Sequence, residues 1–283
     1  MNSIKIIIFC SVLLLLSCSK DGDNSIPVKI FLDPTEIGTY HNYIAKYIVD
    51  NSNFDDVYHC GSDIKDVLLT GKSEISAHFG FDEVEYVNIL NEIDFSNFKD
   101  IYQTEEIDLK SIALESQLSN ELIVEINEFE SYLYSIDYHA IYNNNPSALV
   151  NIIQDKIEKF SSKRKINSDI GNQYKDFIRV VKSSVELWFP RNLGGLGYNE
   201  ILSAKISNTK IKLRKNWFTR WVSSKKFGKF IISDAVGAVA GVATSLVSSG
   251  GATAIPNPLL GGIPTAGVVG VISGASTSVI SQL

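Results

Sequence analysis

The residues that could do chemistry in this chain are few and scattered. The four histidines, at positions 41, 59, 78 and 139, include no pair with the i, i+4 spacing of two metal ligands on one helix face. The one stretch that groups several candidate ligands contains Asp55, Asp56, His59, Cys60 and Asp63. Their spacing matches no metal motif, and such a polar run is typical of a solvated loop. The sequence therefore predicts no metal ion and no cofactor.

His41 is the best candidate for a general base, but its neighbours favour another role. It shares one helical stripe with Ile37, Ile44 and Ile48, which predicts a hydrogen-bonded histidine in a protein core. The chain also contains no Gly-x-Ser-x-Gly nucleophile elbow. We therefore predict no catalytic residues, and a hydrolase that uses His41 or the stretch 55–63 stays a minority alternative.

Cys18 follows a segment with the features of an export signal. Lys5 precedes an apolar run of eleven residues at 6–16, and the small residue Ser17 stands just before Cys18. The run is too short to span a bilayer. The sequence Leu-Leu-Ser-Cys at 15–18 resembles the lipobox of bacterial lipoproteins. This resemblance implies that signal peptidase II removes residues 1–17, and that Cys18 then carries diacylglycerol and an amide-linked fatty acid.

The residues behind Cys18 are similar to the short charged tether of Bacteroidota lipoproteins. Residues 18–27 form this predicted tether, and position 19 is Ser rather than the Asp that favours retention in the inner membrane. The resemblance implies an outer membrane lipoprotein, with exposure at the cell surface as a further expectation. Membrane lipid is then the partner of Cys18, because two or three acyl chains anchor a protein durably. No nucleic-acid partner is expected in that compartment.

Charge is distributed unevenly along the chain. Residues 18–200 contain 31 acidic and 16 basic side chains, whereas residues 201–283 contain nine basic side chains and the single acid Asp234. The acidic part repels anionic lipid and nucleic acid, and the basic part attracts them. With Cys10 in the export signal and Cys18 lipidated, Cys60 has no partner, so a disulfide framework is excluded.

Residues 28–197 are predicted to form an acidic helical domain. The strongest signal is a stripe of apolar residues with steps of four, four, three, four and three, which marks one face of a long helix: Leu118, Leu122, Ile126, Phe129, Leu133 and Ile136. Asn145-Pro146 has the types of an N-cap and first-turn pair for the following helix, and Pro190 ends the last one. The fold class is therefore mainly α, as an irregular helical bundle followed by a Gly/Ala/Ser-rich helical hairpin.

A glycine-rich turn at 192–197 leads into a basic aromatic connector at 198–229. Trp217 and Trp221 are four residues apart in this segment, so on a helix they share a face. Tryptophan with flanking Lys and Arg is typical of the headgroup zone of a membrane. The alternative is that the Trp pair packs on the acidic bundle while the bases pair with its carboxylates.

Residues 230–283 are predicted to form a hairpin of two helices with small residues at every fourth position. The first ladder is Ser233, Gly237, Gly241, Ser245 and Ser249, and the second is Ala266, Gly270, Gly274 and Ser278. Small side chains along one stripe let two helix backbones approach closely, as in glycine zippers. The hairpin could insert into a bilayer, dock on the bundle, or associate with a second copy of the chain.

These observations leave three functions of different classes. The leading hypothesis is a non-enzymatic lipid-anchored envelope protein, whose helical domain binds an unknown protein partner and whose hairpin supports self-association or membrane contact. The second is a membrane-active toxin or bacteriocin-like antagonist, which the resemblance of the ladder to glycine zippers suggests. The third is the hydrolase of unknown substrate.

Overall fold

The computed structural model describes residues 36–54, 60–80, 82–93, 95, 118–207, 231–232, 234–236 and 265–280. Helix dominates these residues and none of them lies in a β-strand, so the prediction of a mainly α fold is confirmed. The export signal, Cys18, the tether, and Trp217 and Trp221 lie outside the described residues, as do Ser233, Gly237, Gly241 and Ser245.

Four helices form the first part of the fold. They are α1 (Ile37–Asn51), α2 (Cys60–Thr70), α3 (Lys72–Phe79) and α4 (Glu83–Glu92). Gly80 ends α3 in the left-handed region with φ of 72°, a conformation that glycine adopts without a steric cost. Asp82 then starts α4, because its carboxylate accepts from the backbone N–H groups of Val84 and Glu85. A glycine stop followed by an aspartate cap accounts for the sharp break between these two helices.

Four further helices follow: α5 (Asn120–Ser135), α6 (Tyr138–Asn144), α7 (Leu149–Ser162) and α8 (Ser168–Trp188). Ser119 and Asp137 cap α5 and α6, since each side chain accepts from a backbone N–H in the first turn. The expected capping by Asn145 is wrong: Pro146–Ala148 is a 3₁₀ turn, and the Asn145 side chain makes no capping hydrogen bond. The helix predicted after it therefore begins only at Leu149.

The glycine-rich stretch after α8 is a turn, as predicted. Gly194 and Gly197 have φ of 90° and 75°, and α9 (Tyr198–Ser207) begins directly after it. The last described helix is α10 (Thr265–Ile280), which carries no charged residue. Between α9 and α10 the structure describes a short helical stretch at residues 231–232 and 234–236, called here the Asp234 segment.

Helix α1 is the centre of the fold, because it packs mainly against α8 on one side and α10 on the other. Gly38 allows the close approach to α8: a Cβ at this position would lie 2.8 Å from the carbonyl oxygen of Arg179. Two adjacent stripes of α1 are therefore buried: Ile37, His41, Ile44 and Ile48 on the first, and Gly38, Asn42, Ala45 and Val49 on the second. One apolar core contains residues of α1 to α10 and of the Asp234 segment.

Helix α4 does not bury the face that its apolar period marks. Val84, Val87 and Leu90 recur every three residues, yet Val84 is 68% exposed, and Tyr86, Ile89 and Leu90 are buried. The reason is that α4 packs on α2, α3 and α10 at once, so its buried face is set by three neighbours rather than by its own apolar period. Leu118 and Ile136 are buried as expected, just beyond the ends of α5.

Candidate functional site

Three polar residues without exposed surface meet in one buried cluster. The imidazole Nε2 of His41 lies 2.8 Å from Oδ1 of Asp234, and both side chains have no exposed surface. The hydroxyl of Ser184 donates a hydrogen bond to the second carboxylate oxygen, Oδ2, of Asp234. Helix α1, helix α8 and the Asp234 segment therefore each supply one residue.

The other side of the imidazole contacts Asn42. Its Nδ1 lies 3.2 Å from Oδ1 of Asn42, and the amide Nδ2 of Asn42 donates to the carbonyl oxygen of Ser183 at 2.9 Å. Because Nδ2 is used as a donor, the Asn42 oxygen must face His41. Both ring nitrogens of His41 thus point at acceptors, which is the arrangement that favours a protonated, charged imidazole.

The charge state of His41 results from opposing effects. Burial is the largest and lowers its pKa, but the Asp234 carboxylate and the hydrogen bonds that the ring makes with Asp234, Asn42 and the backbone of Gly274 together raise the pKa above the usual 6.5. Because the folded pKa is raised, the ion pair stabilises the fold fully below the pKa of the unfolded chain. That contribution is lost as pH rises through the folded pKa.

This charge state gives a direct prediction for NMR. In the folded protein the His41 imidazole should titrate above 6.5, and the free energy of unfolding should fall as pH rises through that value. Titration of the ring ¹⁵N signals and urea unfolding over the same pH range measure the two effects. In an Asp234→Asn variant the His41 pKa should drop, since burial then acts with less opposition. A wild-type His41 that titrates below 6.5 would contradict the charged pair.

The geometry of the cluster suits a role in joining α1, α8 and the Asp234 segment rather than a role in catalysis. In a serine hydrolase the imidazole accepts the proton of the serine hydroxyl, whereas here Ser184 donates to Asp234 and both ring nitrogens of His41 face other partners. His41, Ser184 and Asp234 are all 0% exposed. The prediction that His41 is a hydrogen-bonded core histidine is confirmed.

The second predicted ladder faces the same region. Gly270, Gly274 and Ser278 are buried in α10, while the side chain of Ala266 lies outside the described residues. Trp188, at the end of α8, donates from its indole Nε1 to the Ser278 hydroxyl at 2.9 Å. With the Gly274 backbone near His41, two of the small residues contact polar groups of α1 and α8. The structure thus packs this ladder into the bundle of its own chain.

A second feature is a shallow surface groove of about 540 Å³ between α5 and α7. Tyr132 and Phe160 stack in it with ring centroids 4.3 Å apart, and Val124 on its wall is 53% exposed. Arg164 at one end pairs with Glu125 at 2.8 Å and with Glu128 at 2.5 Å. An exposed apolar residue beside aromatic rings and fixed charges is a composition found in protein-binding surfaces.

Sequence reasoning found His41 but missed its partners. In the sequence Asp234 stands out only as the single acid of residues 201–283, although a lone carboxylate in an apolar segment is also a signal that a buried base faces it. Ser184 and Trp188 carried no such signal, because one is a small residue in a helix and the other completes an apolar stripe. Only the contact between distant helices gives them a role.

The remaining predictions concern metal ligands and membrane-spanning helices. Within the described ranges no three His, Cys, Asp or Glu side chains are grouped so that they could hold a metal ion. Of the stretch 55–63, residues 55–59 and the side chain of Cys60 lie outside those ranges. Among the described residues, no helix is both long and apolar enough to cross a membrane.

Comparison of the chain with models of protein families, with curated proteins and with solved structures finds no significant match.

Proposed function

We propose that this chain is a non-enzymatic, lipid-anchored protein of the outer membrane. Its acidic helical bundle binds a protein partner, and its C-terminal small-residue helices provide membrane contact or self-association. The observation that carries the proposal is the closed His41–Asp234–Ser184 cluster: the groups best able to act on a substrate are buried and saturated with internal hydrogen bonds. Their arrangement supports a binding and anchoring role over the hydrolase alternative.

The groove between α5 and α7 is the surface that best supports partner binding. Val124 and the stacked pair Tyr132 and Phe160 offer apolar area, and the salt bridges of Arg164 to Glu125 and Glu128 fix one end of the groove. Rigid aromatic groups contribute strongly to protein interfaces because they lose little conformational entropy on binding. The groove is shallow, which suits a protein surface better than a small substrate.

The lipid anchor is tested by Cys18→Ala. Because the thiol is the proposed acylation site, this variant should lose all incorporation of a radiolabelled or clickable fatty acid and should accumulate as the uncleaved precursor. Fatty-acid labelling, gel mobility and membrane fractionation measure this outcome. Cys60→Ala is the matched control, and it should label and mature as the wild type does. Normal labelling of Cys18→Ala would refute the anchor.

A membrane-active antagonist is the second candidate, and one observation favours it. The uncharged helix α10 and the Asp234 segment are buried inside the bundle, where Ile231, Ile232, Val271 and Ile272 are at most 1% exposed. A protein whose apolar helices are buried beneath amphipathic helices can expose the apolar helices to a bilayer after a change of conformation. Dye release from vesicles of a target-like lipid composition separates this candidate from a passive anchor.

A further inference from the structure

The starting observation is the charge pattern of the C-terminal part of the chain. From residue 231 to residue 283, Asp234 is the only charged side chain. This single carboxylate is also the group that joins the Asp234 segment to α1 and α8, through His41 and Ser184. The one charge that would oppose transfer of these residues into lipid is therefore the charge that holds them in the bundle.

Two polar contacts join α10 to the bundle without an ionised acid. Trp188 donates to the neutral Ser278 hydroxyl, and His41 approaches the Gly274 backbone. The flanking residues of the Asp234 segment contribute apolar burial alone, since Ile231, Ile232, Ala235 and Val236 are each 0% exposed. Asp234 is thus the residue at which a change of charge affects how the Asp234 segment and α10 dock on the bundle.

The neighbouring elements add no competing charge to the cluster. On α1 the other charged groups are Lys46 and Asp50, towards the far end of the helix, where Lys205 of α9 contacts the Asp50 carbonyl. On α8, Arg179 pairs with Asp176 at 2.7 Å, and Lys182 pairs with Glu158 at 2.9 Å. On α2 and α4, which pack on α10, the ionisable groups include Asp63, Lys65, Asp66, Glu83, Glu85 and Tyr86. Among the described residues, Asp234 is the only ionised group that acts on the His41 pKa.

We propose that Asp234 is a latch: neutralising its carboxylate releases the Asp234 segment and α10 from the bundle and lets them bind a lipid surface. The proposal deepens the membrane contact in the proposed function, on which it rests. Loss of the charge removes the counterion of the buried His41 imidazole and breaks the ion pair, which destabilises docking. The same event makes the released residues free of charged side chains, which favours their transfer into the headgroup and acyl boundary.

A lipid surface is the partner that fits the released residues. Helix α10 has 16 residues, about 24 Å in length, so it is shorter than the roughly 30 Å of a hydrocarbon core. Its valines and isoleucines suit burial at the interface, and a protein anchored at Cys18 holds them close to a bilayer. Association of two released copies is the competing outcome, and it would raise hydrogen exchange in α10 without labelling by a lipid-soluble probe.

The test uses the full-length protein, purified in detergent and reconstituted at pH 7.5 into vesicles of phosphatidylethanolamine and phosphatidylglycerol. A lipid-soluble photoreactive probe labels residues in contact with acyl chains, and mass spectrometry reads the labelling of peptides from 231–280. Amide hydrogen exchange of α10 reports its release. Asp234→Asn should raise both signals, the exchange rate by roughly a hundredfold, because losing one partner of a buried pair has effects of that size.

Two further variants separate release from lipid binding. His41→Leu also breaks the pair but leaves the Asp234 charge, so it should raise exchange in α10 while photolabelling stays near the wild-type level. Asp176→Asn changes another largely buried carboxylate, whose burial raises its pKa to about 6 and which is therefore ionised at pH 7.5. Because its partner is Arg179 rather than a C-terminal residue, it should leave both signals unchanged.

Three results would overturn the latch. The first is an Asp234→Asn variant with wild-type exchange in α10. The second is an Asp234→Asn variant with raised exchange in α10 but no photolabelling, the result expected if two released copies associate. The third is exchange that rises equally in α5 and α7, because the whole bundle then unfolds and Asp234 does not hold α10 in particular. None of these results bears on the lipid anchor, because that is read from fatty-acid labelling at Cys18.

Discussion

Trp188→Ala is expected to lower the free energy of unfolding by about 3–5 kcal/mol, the largest effect of any single substitution considered for this chain. The Trp188 side chain is 0% exposed and ends α8, and its indole donates to Ser278 of α10. Truncation leaves a cavity between these helices and removes the hydrogen bond that joins them. Urea unfolding followed by far-ultraviolet circular dichroism measures the loss.

Trp188→Phe is the matched variant for this position. It keeps most of the ring but removes the N–H donor, so it should cost about 1–2 kcal/mol less than the alanine variant. In both variants the hydrogen exchange of α10 should increase before that of α5. An alanine variant that unfolds like the wild type would mean that α10 does not depend on its contact with α8.

Gly38→Val is expected to cost about 3 kcal/mol, because it overpacks the closest contact between α1 and α8. Even the first carbon of a side chain at this position would lie 2.9 Å from Cβ of Ser183 and 2.8 Å from the carbonyl oxygen of Arg179. Real Cβ atoms do not approach other atoms so closely, so α1 must move away from α8. The displacement should also weaken the His41 cluster, which lies on the adjacent stripe of α1.

Gly171→Val is the control for Gly38→Val. Gly171 lies in α8, and a Cβ there would meet no atom within 4 Å, so the same substitution should change stability by less than about 0.5 kcal/mol. A double variant of Gly38→Val with Ser183→Gly should recover part of the loss, because two of the three close atoms belong to the Ser183 side chain. Equal losses at Gly38 and Gly171 would contradict the packing argument.

The helices of the bundle could be predicted from the sequence because each carries its own signal. In α5 and α8 the apolar residues recur every three or four positions, and this period alone identifies the buried stripe. The glycine turn at 194–197 could also be predicted, since its conformation requires a residue without Cβ. Helix α4 is the counterexample, because three neighbours on different sides expose Val84 and bury Tyr86.

The sequence by itself determined that this chain is mainly helical, that its charge is divided between an acidic bundle and a basic connector, and that Asp234 is the last charged side chain. Such properties are local, since period, capping and charge depend on residues that are neighbours along the chain. Only the tertiary structure decided that His41 and Asp234, 193 residues apart, form one buried pair with Ser184. It also decided that α10 packs on α1, because burial of its small-residue face depends on which distant helix offers a matching surface.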